Sequence, residues 1–549
     1  MKGSFLWYLF AICGIIFASC QGNRYSDTGK TVFRYNESAG ITSLDPAFAR
    51  NQANIWAVNQ LFNGLVQLSD ALKPEACIAK DWNISGDGLT YTFYLRTDVL
   101  FHDNEVFPGG KGRKVLASDF VYSFSRISDP VTASPAAWIF TQVRRTDNHY
   151  DIEALNDSTF RIRLSAPFPP FLGLLSMQYC SVVPREAVEK YGKDFRQHPV
   201  GTGPFCMKLW KEGVKLVLTR NENYFEKDSG KRLPYLDAVA VSFIVDKQSA
   251  FLEFIKGNLD FMSGIDPGYK DELLTHSGRL NPKYTNKLNL IKQPYLNTEY
   301  LGILVDPASP VLRQNPLRLK AIRQAMNYGF DRVKMMQYLR NNIGIPGISG
   351  IVPAGLPWFD REKVNGYQYN PSRAKELLAE AGFPDGKGLP PITLTTNASY
   401  LDLCKYIQSQ LNEIGFNVLI DVTPPATLRE MIAQSKVAFF RASWIADYPD
   451  AENYLSLFYT PNFCPLGPNY THYSNAAFDK LYNAASHEIN DSVRGNLYIK
   501  MDNLLMSDAP VIVLFYDEVL RFTGKNISGL GCNPLNLLNL KKVKKNSND

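Results

Sequence analysis

The chain has 549 residues, 45% hydrophobic and 20% charged. That is the balance of an ordinary globular protein, at a length beyond what one hydrophobic core supports, so two or three domains are expected. A net charge of +6, dispersed rather than gathered into a basic stripe, argues against a nucleic-acid partner.

The N-terminus carries the clearest local signal. Lys2 gives one positive charge, residues 5–17 carry none, and Ala18-Ser19-Cys20 closes the run with small residues and a thiol. The run is too short to span a bilayer, which takes about 20 residues in a helix; it reads as a secretory signal that is removed. A cut directly before Cys20 resembles the bacterial lipoprotein signal, in which that cysteine becomes the lipid-bearing N-terminus. Phe17 departs from that pattern, which usually has Leu there, and an ordinary signal with an incidental cysteine is the alternative. Residues 1–19 are thus expected to be a lipoprotein signal peptide and 20–30 a polar tether. No later segment is long and apolar enough to span a membrane.

Further along, residues 89–95 alternate aromatic and β-branched side chains after the turn Ser85-Gly86-Asp87-Gly88, which predicts a strand. Gly201-Thr202-Gly203-Pro204 lacks the lysine and helix of a phosphate loop and reads as a turn. Residues 205–219 predict a hairpin around Lys211-Glu212-Gly213. Asn315-Pro316 and Asn370-Pro371 each predict a capped helix start, and Gly382 with Pro384 ends the second helix. Strands follow at 392–396 and 418–422, an alternation that argues for an α/β lobe with a substantially parallel sheet. Residues 437–444 predict a strand that Pro449 terminates, which puts Asp447 just beyond its carboxyl end, where open α/β sheets place ligands. A carboxylate there can receive an ammonium group. Arg441, six residues earlier, could hold a carboxylate by a bidentate contact, or the two could pair with each other or with neighbours. Residues 504–520 read as a helix end and a buried strand. The basic run Lys541-Lys542-Val543-Lys544-Lys545 is expected to be solvated.

Catalytic signals are absent. The six histidines form no metal pair, no cysteine pair has metal-site spacing, and no nucleophile elbow occurs. Ser, His and Asp could still meet in space, because triads are not local in sequence. Neither a metal, a cofactor nor a catalytic residue is expected. An oxidising compartment would permit one or two disulfides, with the pairing left open.

Several segments in order resemble one family, the extracytoplasmic solute-binding proteins of oligopeptide and dipeptide ABC importers (bacterial extracellular solute-binding family 5). They are Ser43-Leu44-Asp45-Pro46, Leu61-Phe62-Asn63-Gly64-Leu65, Asp81-Trp82 through Arg96, Ala117-Ser118-Asp119-Phe120-Val121-Tyr122-Ser123, 201–205, Ile322-Arg323-Gln324-Ala325, Asp331-Arg332 and 374–383. The resemblance implies a two-lobed periplasmic-binding-protein-like α/β fold (type II, large class) with an inserted α+β domain and a two-segment hinge. Lobe I would be 31–62, 185–296 and 510–540 with a tail to 549, the inserted domain 63–184, and lobe II 297–509. It implies a peptide ligand, ABC permease and ATPase partners, a monomer, and an extracytoplasmic protein held at a membrane through lipid on Cys20. Asp447 would match the aspartate that binds the peptide's α-ammonium, and Arg441 an arginine that reaches the carboxyl end of short peptides, with Trp444 and Tyr448 beside them.

The departures concern the side-chain pockets. An acidic residue of the oligopeptide site appears as Arg50, a pocket tyrosine as Ala136 and a pocket tryptophan at about Pro425. A cysteine pair of the family would fall at Asn297 and Ile445 and is absent. A nickel chelate, haem, glutathione or opine-like ligand remains an alternative, and a surface hydrolase is a second.

Overall fold

The computed structural model describes residues 29–546 apart from 148 and 267; the expected signal peptide and Cys20 lie outside the described residues. One mixed sheet of eleven strands organises the chain. In chain order these are β1 (Val32–Asn36), β2 (Phe205–Lys211), β3 (Lys215–Arg220), β4 (Ala238–Ser242), β5 (Phe261–Ser263), β6 (Leu288–Ile303), β7 (Ile345–Pro346), β8 (Ile392–Thr396), β9 (Val418–Val422), β10 (Phe439–Ile445) and β11 (Val511–Gly524). Across the sheet they run β2-β3-β4-β1-β5-β11-β6-β10-β8-β9, with β7 paired to β11 off this path.

Parallel pairing is confined to β1 with β4 and β5, and to β8 with β9 and β10. The strands expected in the α/β lobe, 392–396 and 418–422, do pair in parallel, within a sheet that is mixed as a whole. Its centre is built by two long strands, β6 and β11, that run antiparallel to each other. Their ladder slips at one place. Pro294 faces Glu518 and Thr298 faces Tyr516, so Tyr295, Leu296 and Asn297 bulge opposite Asp517 alone, the kind of local irregularity that bends a strand and re-aims its side chains.

On one side of this centre a single core joins the sheet's β1–β5 half to a separate four-stranded antiparallel sheet (Ala79–Ile84, Thr90–Leu95, Thr159–Arg163, Ile152–Asn156). The helix Ala117–Ser128 buries Phe120 and Phe124 against Phe160 of that sheet, with ring centroids 5.8 and 5.6 Å apart. On the other side, Ile322, Met326, Leu378, Leu394 and Phe439 belong to a second core. The 205–219 hairpin, the strands 392–396 and 418–422 and the Asn370-capped helix Pro371–Glu380 form where the sequence places them. Gly201 and Gly203 press on the end of α1 (Gln52–Leu61): a Cβ would stand 2.0 Å from the Leu61 carbonyl oxygen at Gly201 and 2.4 Å from the Leu61 carbonyl carbon at Gly203.

Two expectations are corrected here. Asn315 caps only a single 3-10 turn, Pro316–Arg318, and the α-helix begins at Lys320 after an extended Leu319. The carbonyls of Leu317 and Arg318 accept from the buried Arg323 guanidinium at 2.9 and 3.1 Å instead of from a continuing helix. The basic run 541–545 is solvated only at Lys542 and Lys544. Lys541, 9% exposed, pairs with Glu226 at 2.6 Å, and Lys545 pairs with Asp260 at 2.9 Å, while Val543 is fully buried. The acidic partners that draw this run inward lie hundreds of residues earlier.

Candidate functional site

A cavity of about 360 Å³ opens where the sheet's two halves meet. Three parts of the chain supply its walls: the loop 49–52 with the first turns of α1, the segment 176–179, and Ile445-Ala446-Asp447 at the end of β10. Tyr295, from the bulge in β6, and Leu535 and Leu537, after β11, close it. Most of the lining is neutral, and among the described residues Asp447 and Arg50 are its only two charged ones.

Asp447 follows β10 by two residues, as its position before Pro449 predicts. Its backbone N–H donates to Asn453 Oδ1 at 3.1 Å, and the same oxygen accepts the Trp444 indole N–H at 2.9 Å. The carboxylate is open to the cavity, yet protein on most sides strips its bulk hydration. That desolvation raises its pKa, with Asn453 pulling the other way. Tyr179 feels both charges: burial first and Asp447 second push its hydroxyl up to about 12, against a lowering pull from Arg50. Among the described residues, neither Asp447 nor Arg50 has an ion-pair partner.

Arg441 is placed differently. On β10 it faces Leu301 of β6, ion-pairs with Glu299, and holds its guanidinium 3.3 Å above the Tyr400 ring centre. The two charged side chains are 11% and 4% exposed. Burial pushes the Glu299 carboxyl up, and Arg441 pulls it back. The structure therefore pairs Arg441 with a neighbour and leaves it out of the cavity lining. Trp444 is half-buried beside Asn453. Tyr448 is buried, with its hydroxyl donating to Glu452 and its ring 6.3 Å from that of Trp138. These two residues support the Asp447 loop rather than line the cavity. Ala136 is buried and Pro425 opens a surface helix, both outside the lining. Asn297 and Ile445 are cross-strand partners, a pairing position at which this chain carries no thiol. The six cysteines of the described residues are free.

Sequence reasoning missed Tyr179, Tyr295, Leu535, Leu537 and Asn453. No local pattern marks the first four, which come from three distant segments. The polar run after Asp447, ending at Asn453, was the one available signal. It also missed a row of groups elsewhere. Cys464 Sγ lies 3.2 Å from His472 Nε2, whose Nδ1 is 3.4 Å from Asp306 Oδ2, with Ser435 Oγ 3.0 Å from the same Nε2. The order is that of a nucleophile, base and acid, but Cys464 is 4% exposed and does not line this cavity, so the sulfur is shielded from a substrate bound there. Among the described residues, no three His, Cys, Asp or Glu side chains stand together as a metal site, and no helix is long and apolar enough to cross a membrane.

The model of the bacterial extracellular solute-binding proteins, family 5, matches residues 73–463. The chain belongs to this family. It is 25% identical over 502 residues to the glutathione-binding protein GsiB of Salmonella choleraesuis, covering 90% of this chain and 91% of that protein. It is 25% identical over 573 residues to the dipeptide-binding protein DppE of Bacillus subtilis, covering 98% and 99%. Its fold matches the periplasmic binding protein DppA of Helicobacter pylori, solved in complex with the peptide STSA, with a TM-score of 0.74 at 24% identity over 95% of this chain and 99% of that one. The architecture is that of a two-lobed periplasmic binding protein with mixed α/β content. These relatives are solute-binding proteins rather than enzymes.

Proposed function

We propose that this protein is the substrate-binding component of an ABC importer that captures peptides and delivers them to a membrane permease. The observation that carries the reading is Asp447: a carboxylate open to the cavity yet partly desolvated, without a cation partner among the described residues, at the end of β10, in a cavity between the two halves of the sheet. An ammonium group enclosed there loses its water and needs a charged acceptor to offset that loss. The dipeptide- and glutathione-binding relatives support a ligand with a free amine, and glutathione is itself a tripeptide.

In this reading β6 and β11 are the two hinge strands, with residues 31–62, 185–296 and 510–540 as lobe I, 63–184 as its inserted domain, and 297–509 as lobe II. Ligand contacts on both sides favour the closed form only when ligand is present. No covalent step is required. The short apolar N-terminal run and Cys20 make the protein a lipid-anchored one on the extracytoplasmic face. Changing Cys20→Ser releases it from membranes; a wild-type chain cut elsewhere and recovered fully soluble removes the anchor.

Calorimetry with trialanine and N-acetyltrialanine tests the ligand class. Binding of the free peptide with rejection of the acetylated one is expected. Equal binding, or none, overturns the amine site, and native mass spectrometry of protein purified without added ligand would then identify the bound class.

A further inference from the structure

We propose that Arg50 receives a carboxylate of the ligand, so that the site selects zwitterionic peptides. This rests on the peptide reading above and adds a second anchor to it. Three observations meet at Arg50. First, among the described residues Arg50 and Asp447 are the only charged ones in the lining. A ligand that pairs with both must carry one positive and one negative group, and a carboxylate is the anion that the planar guanidinium fork fits. Second, the Arg50 guanidinium has no acceptor among the described residues, whereas Arg441 on β10 is committed to Glu299. Arg50 is therefore free to bind and Arg441 is not.

Third, Arg50 immediately precedes the N-cap Asn51 of the ten-residue helix α1, and Asn51 and Gln52 share the cavity wall. The positive end of that helix favours an anion at the same place. The cavity, about 360 Å³, has room for a peptide the size of trialanine.

The two anchors lie on opposite sides of the cavity's junction, Arg50 ahead of α1 and Asp447 after β10. A zwitterion therefore ties the two sides together, whereas an amine alone engages only one.

The test uses trialanine, its C-terminal amide, and Ala-Glu C-terminal amide, which carries its carboxylate on a side chain. Each is titrated by calorimetry into wild-type protein and Arg50→Gln. Wild type should bind trialanine at least about tenfold more tightly than the amide. Arg50→Gln should bring trialanine down to the amide's affinity and leave the amide unchanged. Arg50 is exposed and unpaired, so the variant's unfolding temperature should match wild type, and the amide comparison on wild type needs no variant. If Ala-Glu amide binds like the amide, the chain terminus is the partner; if it binds like trialanine, a side-chain carboxylate serves, and either result supports the carboxylate site. Trialanine and its amide binding equally, with N-acetyltrialanine rejected, overturns the Arg50 assignment while the amine reading stands. Failure of every peptide overturns both.

Discussion

The side-chain oxygen of Asn453 accepts the backbone N–H of Asp447 at 3.1 Å while holding the Trp444 indole at 2.9 Å. One amide thus fixes both the end of β10 and the loop that carries the ligand-facing carboxylate. Asn453→Ala leaves two donors without their acceptor at a site where the indole is half-buried. It should lower stability by about 1–3 kcal/mol and weaken trialanine binding through a displaced Asp447. Urea unfolding and calorimetry read the two effects separately. Unchanged affinity in a destabilised variant would mean that Asp447 is positioned by Pro449 and the strand alone.

The Arg441–Glu299 pair should behave as structure. Removing one partner of a buried ion pair leaves an uncompensated charge and costs about 3–5 kcal/mol. Arg441→Met should lose stability on that scale, and the double variant Arg441→Met with Glu299→Gln should recover most of it. The double variant should bind trialanine within a few-fold of wild type. A large affinity loss in a well-folded double variant would return Arg441 to the ligand's carboxyl end.

Glu452 gives the protein a pH-dependent stability. It accepts from the hydroxyls of Tyr448 and Tyr482, and burial pushes its carboxyl up to about 7 from an ordinary 4.5. Between these two values the folded chain keeps a proton that the unfolded chain has lost. The contribution is therefore full below about pH 4.5 and falls away as pH rises to 7, by about 3 kcal/mol in total. Asp502, pushed to about 6 by burial, acts in the same direction. Glu452→Gln mimics the neutral form, so it should match wild type near pH 5 and exceed it in stability by about 2–3 kcal/mol at pH 8. A constant difference across that range would remove Glu452 as the titrating group.

How much of this was readable from sequence depends on how local each cause is. The strands β8 and β9 and the Asn370 cap are written in neighbouring residues, through alternation and side-chain capping, so their bounds could be read directly. Asp447 was found because a strand end and a proline bracket it. Arg441 looked equally available because Glu299, which neutralises it, is 142 residues away. The burial of Lys541 and Lys545 likewise rests on Glu226 and Asp260. The cavity is assembled from segments near 50, 177, 295, 446 and 536, and only the family resemblance hinted that any of them meet.

Asp447→Asn isolates the amine anchor. The substitution keeps shape and hydrogen-bonding capacity but removes the charge that would compensate an enclosed ammonium. Losing one partner of such a pair costs about 2–5 kcal/mol, or roughly thirtyfold and upward in affinity. Because desolvation already raises the Asp447 carboxyl, its ionised form is disfavoured in the empty protein. The sign of the stability effect follows: at neutral pH the unliganded variant should be at least as stable as wild type, while trialanine binds far more weakly. Wild-type affinity should fall on acidification as Asp447 takes up its proton, at a higher pH than an ordinary aspartate would, and the variant's affinity should lack that step. Calorimetry across the acid range with thermal unfolding of the empty protein measures both. A variant that loses stability and affinity together would make Asp447 a structural residue, and one that keeps wild-type affinity would place the ligand's amine elsewhere.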